Sequence, residues 1–168
     1  MMYSSRRLAI LLWTFLFAFC LRVLGQMLVA FAGVSWLPPM EAWYSGLMPY
    51  PYLLPSQFLI IGLYSKVCLD FTRGEGFFVR SRPVFGRSVL VFGYLYLASM
   101  IVRYIIRMSL YPEARWFGGT IPIFFHWVLA GFILTVARYH RRYSEVTRVT
   151  TWTTVAVRGS VTLLITLG

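Results

Sequence analysis

Acidic side chains are scarce: five Asp and Glu stand against sixteen Lys and Arg in 168 residues. No two carboxylates sit in a pattern that suggests paired acid–base work, which needs two such groups at a set separation. Charged residues of both signs make up 12% of the chain, where a soluble domain carries about 25%. Cysteine is limited to Cys20 and Cys68, so a disulfide framework and a Cys-based metal site are both excluded. Histidine is limited to His126 and His140, too few and too far apart for a metal cluster. The serines lie at ends and in loops, and no nucleophile–base–acid constellation is visible. The Gly74-Glu75-Gly76 stretch is too short for a phosphate-cradling loop. Together these absences point away from an enzyme.

What the chain has in abundance is apolar surface. Hydrophobic residues make up 59% of it and the mean hydropathy is +0.70. A 19.5 kDa soluble core has no use for that much, so lipid is the expected solvent. Four apolar stretches, at about 8–31, 52–68, 88–110 and 121–138, are long enough to cross a bilayer as helices. Phe17-Ala18-Phe19-Cys20 is a poor lipoprotein signal, and no small-x-small site follows the first run, so an uncleaved start is expected.

The basic residues alternate in side around these stretches. Arg6 and Arg7 precede the first; Lys66, Arg73, Arg80, Arg82 and Arg87 crowd the segment between the second and third; Arg138, Arg141, Arg142 and Arg148 follow the fourth. The segment 32–50 has no Lys or Arg. By the positive-inside rule both termini are cytoplasmic. The expected fold is an all-α integral membrane protein, a four-transmembrane-helix up-down bundle over residues 1–143, in a bacterial-type inner membrane. The net charge of +11 is then topology, with basic flanks on anionic lipid, and nucleic acid is not an expected partner.

Between the crossings, Trp36, Trp43, Tyr44 and Tyr50 among Pro and Gly suggest an outer loop lying at the headgroups, with a short helix around 40–47. The stretch Pro39–Gly46 has an echo in Pro112–Gly119, read as two uses of the same interface chemistry. Residues 70–86 read as a basic interfacial loop with Phe77, Phe78 and Phe85. The Thr/Val-rich tail, 144–168, reads as interfacial or partner-bound. A fifth crossing over 149–168 would set Arg158 at the bilayer centre, a costly place for a charge.

The chemically loaded residues lie inside the crossings: Arg22, Gln26, Gln57, Arg103, Arg107 and His126. Counting rise along each helix puts Arg22, Gln57, Arg103 and His126 at one level in the outer half, with Gln26 and Arg107 one turn nearer the surface. Glu41 and Glu113, the outer acidic residues, stand above this layer as candidate partners. Intramembrane charges normally face inward and are paired. Three readings follow. The favoured one is a non-catalytic accessory or assembly subunit of a larger membrane complex, with the layer as a structural network and other membrane subunits as partners. The second is a haem- or chlorophyll-type membrane protein with His126 as axial ligand, and His140 about 21 Å further along the same helix. The third is a small lipid- or anion-binding membrane protein using Arg22, Arg103 and Arg107. His140, among Arg138, Arg141 and Arg142, is expected to be solvated, and small residues look sparse on the helices.

Overall fold

The computed structural model describes residues 5–43, 49–80, 82–111 and 121–142, apart from the side chains of Ser5 and Glu41. The expectations for Glu113, for the Glu41 side chain and for the 144–168 tail fall outside these residues. The described residues are helical, with turns and no strand. Helix α1 runs Ser5–Ala32, α2 is the single turn Met40–Trp43, α3 runs Tyr50–Arg73, α4 runs Pro83–Leu110 and α5 runs Ile121–Arg142. All but α2 are long and apolar enough to cross a membrane, and together they form the helical bundle of a multi-pass membrane protein.

The helices are longer than the apolar runs that reveal them. The second crossing, expected over 52–68, continues to Arg73, so the stretch from Asp70 begins inside a helix rather than in a loop. Its stop is Gly74, whose left-handed backbone (φ 73°) lets its N–H reach the Asp70 carbonyl at 2.9 Å. The third helix starts at Pro83, earlier than the expected 88, because proline suits a first helical turn. The fourth continues past 138 to Arg142. Polar residues that end a hydropathy run do not end a helix, since Arg and Lys are good helix formers.

Contacts fix the order of packing. Trp13 Nε1 donates to Thr72 Oγ1 at 3.0 Å, and further along Gln57 Nε2 donates to Gln26 Oε1 at 3.0 Å, so α1 and α3 run antiparallel. Helix α5 lies against the other three crossing helices. Tyr64 of α3 stacks on Phe132 with centroids 3.8 Å apart, Phe15 of α1 covers Gly131, and Gly86 and Gly93 of α4 meet His140 and Leu134. The core is built from Leu12, Leu16 and Phe19 of α1, Tyr64, Val67 and Phe71 of α3, and Leu129, Phe132 and Val136 of α5. Lipid tails are as apolar as these side chains, so burial alone does not hold such helices together; close backbone approach and interhelical hydrogen bonds do. Gly86 and Gly93 are the buried residues of α4, and they set its distance from α5. The few glycines thus carry the α4–α5 seam, which the sparse small residues of the sequence do not suggest.

At the basic end, where α1 begins, the turn after α3 is organised by Asp70. Its carboxylate is buried, pairs with Lys66 and accepts the Phe78 N–H at 3.3 Å. Gly76 lies so close that a Cβ there would sit 2.4 Å from the Asp70 Cγ. The Arg82 guanidinium covers the Phe77 ring at 4.1 Å. His140, expected in solvent, is fully buried between Phe85, Tyr139 and the space left by Gly86. The reason is that α5 outruns its hydropathy and carries His140 onto the α4 seam.

Candidate functional site

The polar residues of the crossings do gather, though not all in one hydrogen-bonded set. Arg22 Nη1 donates to Gln26 Oε1 at 3.1 Å, and the same oxygen accepts Gln57 Nε2. Arg22 Nη2 donates to the Trp43 carbonyl at 3.3 Å. Arg22 must find acceptors, so the Gln26 oxygen faces it, and Gln57 must then present its nitrogen. All three side chains are buried: Arg22 is 8% exposed, Gln26 0% and Gln57 3%.

The Trp43 carbonyl reaches this depth because the chain folds back. One turn of α2 lays the Trp43 indole on α1 at Gly25, where a Cβ would approach it to 2.8 Å. The indole N–H is tied to the Pro38 carbonyl at 2.9 Å. Trp43 therefore packs on α1 at Gly25, while residues 44–48 of the expected outer loop lie outside the described residues. The Tyr50 phenol lies within electrostatic range of Arg22, and its hydroxyl is buried with no hydrogen-bond partner.

Helix α5 closes the other side. Phe125 faces the Arg22 guanidinium, 6.0 Å from ring centroid to Cζ. Next to it His126 shares a 2.5 Å hydrogen bond, through Nδ1, with the Tyr96 hydroxyl of α4. His126 lies within electrostatic range of both Arg22 and Arg103. Arg103 is half-buried on the same face of α4 as Tyr96, two turns away, and makes no hydrogen bond or ion pair with the described residues. The Arg107 guanidinium lies beside the Tyr111 ring at 5.9 Å.

The donor and acceptor count of the set is lopsided. The Arg22 Nε–H and the Gln26 amide nitrogen lack partners, against one lone acceptor, Gln57 Oε1, and the Tyr50 hydroxyl, which can donate or accept, lacks one too. Neither Arg22 nor Arg103 meets a carboxylate among the described residues. A buried charge left so is costly by several kcal/mol. The arrangement is electropositive, rich in donors and shut from the end of α1 by an indole. With Nδ1 of His126 held by Tyr96, only Nε2 is left to ligate a metal. Sequence reasoning missed Trp43, Tyr50 and Tyr96. Nothing local marks them; only the pairing of a small residue, Gly25, with a Trp after the loop hints at the fold-back. No protein-family model, curated protein or solved structure matches the chain.

Proposed function

We propose that this chain is a non-catalytic membrane protein that holds an anionic group at the level of Arg22, Arg103 and His126. One observation carries the reading: the Arg22 guanidinium is buried, is bonded to the Gln26 oxygen and the Trp43 carbonyl, and has a free Nε–H and no carboxylate among the described residues. A ligand with negative charge and oxygen acceptors supplies what this layer lacks, and in a dry surrounding each charge-assisted bond is strong. The accessory-subunit expectation draws no comparable support. The exposed apolar face of α4 (Val91, Leu95, Val102, Ile106) suits acyl chains as well as it suits another protein.

The test uses delipidated protein in a neutral detergent and a panel of anionic amphiphiles: oleate, phosphatidylglycerol and phosphatidic acid. At about a hundredfold excess over Kd, a bound anion raises the unfolding free energy by about 2.7 kcal/mol. At least one member of the panel produces this in the native sequence, and Arg22→Met loses it. If no anion stabilises the native protein, the reading is wrong.

A further inference from the structure

We infer that a groove between α1 and α3, at the basic end of the bundle, seats one anionic phospholipid, with its phosphate at Arg6 and its first chain carbons along Ile10 and Trp13. This site is separate from the Arg22 set and does not depend on it.

Both helices build the groove. Arg6, Ala9, Ile10 and Trp13 recur at the spacing of one helix face, and Phe71 and Thr72 close it from the end of α3. Its volume is about 410 Å³, within the range of small-molecule sites, about 300–1,000 Å³. Ala9 and Phe71 are buried and make the floor, while Ile10 and Trp13 stay exposed as its wall. That wall is fixed. The Trp13 N–H donates to Thr72 Oγ1 at 3.0 Å, and the Thr72 hydroxyl donates to the Cys68 carbonyl at 2.8 Å. A tryptophan near a membrane surface commonly turns its N–H toward the wet side. Here the N–H is spent on α3, so the indole presents carbon to the groove.

Depth and charge set the occupant. Helix α1 has 28 residues, about 42 Å against a hydrocarbon core of about 30 Å. Centred in the membrane, it projects about 6 Å per side. The Arg6 Cα then lies about 4–5 Å outside the hydrocarbon, at headgroup level, and the Trp13 Cα about 6 Å inside it. The groove therefore crosses the boundary with its cation on the wet side and its apolar wall on the dry side. A soluble anion matches the first half alone; a phospholipid matches both. By the positive-inside reading this end faces the anionic leaflet, and a guanidinium pairs well with a phosphate. Arg7 is a built-in comparison. It has the same charge and is also exposed, but it lies about 100° around the helix and does not line the groove.

The experiment reconstitutes the full chain in phosphatidylcholine vesicles that hold a fixed minor fraction of either phosphatidylglycerol or phosphatidylcholine with brominated chains. Bromine quenches a tryptophan that it touches. The chain has six tryptophans, so the share of Trp13 is the quenching lost in Trp13→Phe. Brominated phosphatidylglycerol reaches Trp13 with about fivefold higher relative affinity than brominated phosphatidylcholine, the worth of one basic residue at an anionic surface. Arg6→Gln brings that ratio close to one, and Arg7→Gln leaves it unchanged. A preference of this size is an exchange with the surrounding bilayer, lost on transfer to detergent, so it adds no adduct to the purified chain. Equal quenching by the two lipids overturns the proposal. So does an equal loss in Arg6→Gln and Arg7→Gln, which is diffuse surface charge rather than a site. A Trp13 that neither brominated lipid reaches overturns it as well, since protein then covers the groove. If Trp13→Phe does not fold, the total quenching of Arg6→Gln against Arg7→Gln decides.

Discussion

Replacing Gly25 with alanine presses on the point where α2 meets α1. The new methyl would lie 2.8 Å from Trp43 Cη2 and 3.3 Å from Cζ3. Carbon contacts settle near 3.5–4.0 Å, so the indole must retreat by about 0.7 Å or more. It cannot swing freely, because its N–H is held by the Pro38 carbonyl and its ring is 8% exposed. Overpacking of this kind costs about 1–3 kcal/mol. Alanine returns about 0.5–1 kcal/mol as a better helix former than glycine. The net expectation is a loss of about 1 kcal/mol, up to 2, in unfolding free energy. A second effect follows at the site. The Trp43 carbonyl accepts Arg22 Nη2 at 3.3 Å, already long, so a small shift removes that bond. The assay is SDS-induced unfolding in mixed micelles, followed by circular dichroism, with acrylamide quenching to report the indole. Gly62→Ala is the control: nothing lies within 4 Å of its methyl, and it should be neutral or stabilising. A Gly25→Ala protein as stable as the native one, with Trp43 equally shielded, would refute the fold-back. So would an equal loss in Gly62→Ala.

Three further outcomes can be checked in the same assay. Gly86→Ala places a methyl 2.6 Å from His140 Cβ, which cannot rotate away, so it costs about 1–3 kcal/mol; Gly93→Ala costs less, since Leu134 Cδ2 can turn aside. Asp70→Asn weakens the buried acceptor of Lys66 and Phe78, costing about 1–3 kcal/mol and exposing residues 74–80 to protease, while Lys66→Ala costs under about 1 kcal/mol because its side chain is 58% exposed. Tyr96→Phe removes the bond to His126 and costs about 0.6–1.7 kcal/mol, the range of hydrogen bonds between membrane helices.

Hydropathy shows four crossings because each must carry some twenty apolar residues through lipid. It places their ends badly, because a helix stops where its backbone finds a cap, as at Gly74, and not where polarity begins. The polar layer was legible in part as depth: Arg22, Gln26 and Gln57 meet, though Gln57 bonds Gln26, the residue expected one turn nearer the surface, rather than Arg22. What depth does not give is rotation about each helix axis. That is why Tyr96 escaped notice as the partner of His126. Burial of His140 was illegible for another reason: it depends on a glycine, Gly86, more than fifty residues earlier in the chain.

The central claim is one exchange of charge, the buried Arg22 guanidinium for a bound anionic group. Native mass spectrometry of the protein drawn from its own membranes in mild detergent tests it most directly, set beside an Arg22→Met variant. The expected result is an anionic adduct on the native chain that the variant lacks. A bare native chain, or the same adduct on both proteins, would contradict it.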